Sequence, residues 1–122
     1  MRRLAITTSI AAALVLASAA LAAGTLAGKY TTRIASTGTW VLNFATGGTY
    51  TVSDNGRIVV RGKYSTTGSK VTLSHETGPA ACSTSGKYSW TRTGKTLRFV
   101  RISDSKCAGR SGVLSHAFTQ IG

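Results

Sequence analysis

From Thr37 onward a turn signal recurs about every 8 to 12 residues, the rhythm of antiparallel strands joined by tight turns. The signals are Thr37-Gly38, Gly47-Gly48, Asp54-Asn55-Gly56, Thr67-Gly68, Gly78-Pro79, Ser85-Gly86 and Thr93-Gly94. No interval between them is long enough for an ordinary helix. Each instead carries apolar residues at every second position: Trp40, Leu42, Phe44; Tyr50, Val52; Ile58, Val60, Tyr64; Val71, Leu73; Tyr88, Trp90; Leu97, Phe99. A period of two puts these side chains on one face of a pleated strand. The opposite phase, with Asn43, Thr49, Thr51, Ser53, Arg61, Lys63, Thr72, Ser74, Lys87, Ser89, Thr91 and Arg98, faces water.

Adding a first strand over Lys29 to Ala35 and a last one over Val113 to Ile121 makes eight strands. A meander of that many short strands closes on itself so that no edge is left unpaired, which predicts an all-β, eight-stranded antiparallel up-and-down barrel. Asp104 to Gly112 breaks the alternation and reads as an overhand loop or a single helical turn, with Asp104 or Ser105 as its cap.

The N-terminus reads as an address. Arg2 and Arg3 precede an apolar run from Leu4 to Leu21, and Ala20-Leu21-Ala22 is a small-x-small cleavage signal. Residues 1–22 are therefore expected to be a secretory signal peptide and 23–122 the barrel domain, secreted, or held at the cell envelope if the leader is retained as an anchor. In an exported chain Cys82 and Cys107 are expected to pair, because an oxidising compartment lets a disulfide persist. Closing that loop stabilises the fold by roughly 3.5 kcal/mol through the unfolded state. A redox or metal role is disfavoured: the spacing is not Cys-x-x-Cys, and His75 and His116 have no ligands at metal-site spacing. No cofactor or metal is expected.

A resemblance joins these features. Gly28-Lys29-Tyr30 is similar to the Gly-x-Trp opening of lipocalin-like (calycin) barrels, with Tyr for Trp. Cys82, Gly86-Lys87-Tyr88-Ser89-Trp90, Leu97 and Asp104-Ser105-Lys106-Cys107-Ala108-Gly109-Arg110 resemble small secreted bacterial lipocalin-like proteins, in which a Cys, a Gly-x-Tyr-x-Trp strand and an Asp-x-x-Cys-x-x-Arg segment recur. The similarity spans nearly all of the expected mature chain. It implies an eight-stranded up-and-down barrel, of a kind whose ligand is often unknown. Full-length lipocalins carry a substantial helix after the barrel, a point at which this chain departs from them.

The expected function is binding of an apolar or aromatic ligand inside the barrel, by Trp40, Phe44, Tyr50, Tyr64, Leu73, Tyr88, Trp90 and Phe99. The competing expectation is that the same side chains simply fill the interior. Asp104 and Arg110 read as a structural ion pair pinning the loop, or Arg110 as an arginine stacked on Tyr30 to close the barrel, with anion recognition by Arg110 as the functional alternative.

Charge supplies the rival function. Fifteen Lys and Arg against three Asp and Glu give a net +12, which becomes +10 once Arg2 and Arg3 leave with the leader. A basic exterior would attract anionic wall polymers or other envelope polyanions, and a protein partner could dock on loops such as Ser36 to Thr39 or Thr77 to Ala81. Nucleic acid is not an expected partner, since basic and aromatic residues fall on opposite faces. The protein is expected to be a monomer and not an enzyme. Its His75, His116, Asp54, Glu76 and Asp104 form no nucleophile or paired-carboxylate motif, and His75-Glu76 at a strand end reads as solvated.

Overall fold

The structure is a computed structural model that describes residues 26–122. The expected signal peptide, residues 1–22, lies outside the described residues. Eight strands, β1 (Gly28–Ile34), β2 (Gly38–Phe44), β3 (Thr49–Asp54), β4 (Arg57–Thr67), β5 (Lys70–Thr77), β6 (Gly86–Thr93), β7 (Thr96–Ser103) and β8 (Phe118–Gln120), pair each with the next, and β8 with β1. All ladders are antiparallel, so the barrel is closed and up-and-down. The alternation places Leu42, Phe44, Tyr50, Val60, Val71, Leu73, Tyr88, Trp90, Leu97 and Phe99 in one buried cluster. The turns carry the residues their geometry demands: Asn55 and Gly56, both at positive φ, join β3 to β4.

Two expectations at the C-terminal end are corrected. Val113 does not start the last strand. It belongs with Leu114 to a seven-residue helix, α1 (Ala108–Leu114), and β8 is only three residues long. The helix lies across one end of the barrel because Leu114 buries itself in the core and Val113 packs against it. Its N-cap is Cys107, with no side-chain cap, so neither Asp104 nor Ser105 serves.

Three one-residue bulges sit at the strand ends nearest α1, and each reverses the inward phase beyond it, because strand side chains alternate with a period of two. In β4, Val52 opposes Val60 but Ser53 opposes Ile58. Val59 is the extra residue, and Ile58, expected inside, is exposed. In β5, Arg61 opposes Thr77 and Lys63 opposes Ser74, so His75 and Glu76 together face Gly62. His75 absorbs the bulge in a left-handed conformation, φ 52°. In β7, Tyr88 opposes Arg101 and Lys87 opposes Ser103, which makes Ile102 the extra residue.

The far end of the barrel is closed by Tyr30. Its hydroxyl donates to the Leu26 carbonyl (2.9 Å), and the Arg92 guanidinium lies over its ring at 5.9 Å from the centroid. Arg92 also donates to the Tyr30 hydroxyl and to Gln120 Oε1, both at 3.1 Å. The arginine stacked on Tyr30 is thus Arg92, not Arg110.

Gly62 is required where the Tyr50 ring crosses β4: a Cβ there would stand 2.7 Å from the ring. Gly62→Ala is expected to destabilise the protein by about 1–3 kcal/mol through overpacking. Calorimetry would show this as a melting temperature lower by several degrees; an unchanged value would mean that the ring is not held over this glycine.

Candidate functional site

The bulges in β5 and β7 have a chemical result. Apolar residues point inward at odd positions in both strands, Val71 and Leu73 in one, Leu97 and Phe99 in the other. Glu76 and Asp104 are even, yet each lies beyond one extra residue and so turns inward. Their side chains are 3 % and 0 % exposed. Glu76, expected to be solvated, is therefore buried. The sequence has only three carboxylates, and two of them are inside the barrel.

Arg110, on α1, lies between them. Its Nε donates to Asp104 Oδ2 (2.8 Å) and Nη2 to Asp104 Oδ1 (2.7 Å), the two-pronged geometry that a planar guanidinium and a carboxylate share. Nη2 also donates to the Thr84 carbonyl at 2.8 Å. Nη1 lies 3.0 Å from Glu76 Oε2 as an ion pair. The remaining carboxylate oxygens are satisfied from several elements. The Tyr88 hydroxyl donates to Asp104 Oδ2, the Tyr50 hydroxyl to Glu76 Oε2, and the Cys82 amide to Glu76 Oε1 (2.9 Å). Gly86 leaves the space for the pair, since a Cβ there would stand 2.6 Å from Asp104 Oδ2. The Cys82–Cys107 disulfide, Cα to Cα 6.1 Å, ties the β5–β6 loop to the start of α1. Such a bond is consistent with an extracellular protein.

Under α1 is a cavity of about 110 Å³. Its wall is mostly apolar: Trp40, Leu42, Val52, Val60 and Leu73 from the strands, Val113 and Leu114 from the helix, with the Phe44 ring below. Tyr50, Glu76 and Arg110 supply the polar part. Of the eight residues expected to hold a ligand, Trp40, Phe44, Tyr50 and Leu73 line this cavity. The other four are placed elsewhere. Tyr88 bonds Asp104. Phe99 packs against Phe44, Tyr88 and Phe118. Trp90 is buried in the core cluster. Tyr64 sits at the opposite end, its hydroxyl on the Ala45 carbonyl at 2.6 Å, beside a separate, more polar depression near Leu26. Sequence reasoning missed Glu76, Val113 and Leu114 as cavity residues. Gly62 and Gly86, glycines inside strands, were the signal of close approach that could have located the cluster.

The electrostatics follow from the geometry. Burial alone would raise the Asp104 carboxyl, but hydrogen bonds from Arg110 and Tyr88, with the charges of Arg110 and Arg101, hold it below the ordinary carboxylate value. Burial and the neighbouring carboxylates, Glu76 and Asp104 respectively, push the Tyr50 and Tyr88 hydroxyls well above the ordinary phenol value. Bonding to Asp104 outweighs burial at Arg110 and holds its proton more firmly than usual. Among the described residues no cluster of His, Cys, Asp and Glu could hold a metal ion. In comparisons with known proteins, no family model, curated protein or solved structure matches this chain.

Two outcomes are expected. Arg110→Met leaves two buried carboxylates unpaired and should destabilise the fold by about 3–5 kcal/mol, measured by urea denaturation; a loss below about 1 kcal/mol would mean that the cluster is solvated. The melting temperature should also fall at both pH extremes. Asp104 is depressed in the folded state, so its contribution is complete above the unfolded value of about 3.9 and is lost as pH falls below it. Tyr50 and Tyr88 are raised, so theirs is complete below about pH 10 and is lost above it. Tyr88→Phe should weaken the alkaline fall, and an alkaline fall unchanged by it would assign the effect to other groups.

Proposed function

We propose that this is a secreted, lipocalin-like, non-enzymatic protein that binds a small apolar or aromatic molecule in the barrel, in the cavity roofed by α1. The observation that carries the reading is a concave, mainly apolar wall with a few polar groups converging at one side, the composition of small-molecule sites. The volume sets the ligand's size: about 110 Å³ is of the scale of a dry engineered cavity of about 150 Å³ that takes benzene. What supports binding over catalysis is that both buried carboxylates are committed to Arg110 and to the tyrosine hydroxyls, while His75 and His116 are exposed. The lipocalin-like assignment rests on the barrel topology and on the motifs around Tyr30, Cys82 and Asp104; fold alone would not carry the function.

Titration of the ¹⁵N-labelled protein with toluene tests the reading. Amide shifts should move at Trp40, Leu73, Val113 and Leu114, saturate, and disappear in Leu73→Trp, which fills the cavity. Spectra unchanged up to the solubility limit of toluene would overturn it.

A further inference from the structure

One donor in the cavity wall is paired by charge and lacks a well-aligned hydrogen bond. Arg110 Nη1 is buried and makes no hydrogen bond among the described residues; its 3.0 Å approach to Glu76 Oε2 is an ion pair without hydrogen-bond geometry. The side chain that carries it is only 7 % exposed. The other two guanidinium nitrogens are saturated by Asp104 and the Thr84 carbonyl. A buried charged donor without a well-aligned acceptor is costly, so a ligand that brings an acceptor to this place gains what an apolar one cannot.

The charge of the wall narrows the class further. Glu76 and Asp104 carry two negative charges against one on Arg110, which leaves a buried net charge of −1 beside the cavity. An anionic ligand would add a second uncompensated negative charge in a medium where like charges repel strongly. An ammonium ligand would be drawn by that negative charge, but it brings donors only and so leaves Arg110 Nη1 without an acceptor. We propose that the ligand is a neutral, single-ring aromatic molecule bearing one hydrogen-bond acceptor oxygen, which accepts from Arg110 Nη1 while the ring lies against Trp40, Phe44 and the aliphatic wall. The proposal rests on the cavity reading above and adds the chemistry of the recognised group.

Phenol and toluene have the same shape and differ in the oxygen; benzoate and benzylammonium place a charge at a similar position. Binding of all four to the wild-type protein is measured by ¹H–¹⁵N spectra that include the Arg110 side-chain resonances. Phenol is expected to bind at least as tightly as toluene despite its costlier removal from water. Benzoate and benzylammonium should bind at least about tenfold more weakly than phenol, a difference of about 1.4 kcal/mol. The Arg110 side-chain resonances should shift with phenol and stay in place with toluene. This readout needs no variant that could fail to fold. Toluene binding with phenol weaker and Arg110 unmoved would overturn the proposal and leave the cavity reading standing. Benzoate or benzylammonium binding more tightly than phenol would also overturn it. Failure of all four to bind would remove both.

Discussion

One guanidinium, that of Arg110, holds two buried carboxylates, and the α1 end of the barrel depends on it. The cluster joins β3 through Tyr50, β5 through Glu76, β6 through Tyr88, the loop after β5 through Thr84 and Cys82, and the segment after β7 through Asp104. Burying three charges is expensive, and a buried ion pair is weak evidence of stability by itself, since well-packed apolar groups can do as well. Its consequence is placement. The β5 bulge, the β7 bulge and the seating of α1 must all be in register for every carboxylate oxygen to find a partner. The disulfide acts on the same segment by other physics: it limits the unfolded chain, whereas the ion cluster selects among compact arrangements.

Internal neutralisation also shapes the outside. Two of the three acids in the sequence face inward, and the third, Asp54, is half-buried with one oxygen covered. Among the described residues eleven Lys and Arg are exposed: Lys29, Arg33, Arg57, Arg61, Lys63, Lys70, Lys87, Lys95, Arg98, Arg101 and Lys106. The two ion pairs formed by the described residues both use Arg110. The exterior is consequently cationic with little local compensation.

The strands, their order and the disulfide could be read from the chain because each rests on a local regularity: alternation, a Gly-containing turn, an even cysteine count. The cluster could not, because a bulge is one residue with no compositional mark. Val59, His75 and Ile102 look like ordinary strand residues, yet each reverses the phase that follows. Strict alternation carried past His75 puts Glu76 in water, and carried past Val59 it puts Ile58 inside. Helix α1 escaped for a different reason. Ala-Gly-Arg-Ser-Gly-Val-Leu has two glycines in seven residues and little intrinsic helicity, so its form comes from the contacts of Arg110, Val113 and Leu114. The Asp104–Arg110 pair was legible because both partners lie in one short segment; Glu76, thirty-four residues before Arg110, was not.

Whether the barrel is filled or open has a different answer at each end. At the closed end the rings of Tyr30, Phe44, Phe99 and Phe118 pack edge to face or tilted around Leu97, and Arg92 seals them. At the α1 end the inward positions of β2 to β5 include the shorter side chains Leu42, Val52, Val60 and Leu73 beside Trp40 and Tyr50, and the cavity lies between them and the helix. The cavity therefore follows from a change of residue size along the barrel axis, and its polar side follows from the carboxylates that the bulges turn inward. Those carboxylates are held by hydrogen bonds from Tyr50, Tyr88, Arg110 and the Cys82 amide, so proton transfer to a bound molecule would first require breaking the cluster that seats the roof. On the proposed reading, what this wall presents to a ligand is Nη1 of Arg110 and the surrounding apolar and aromatic surfaces.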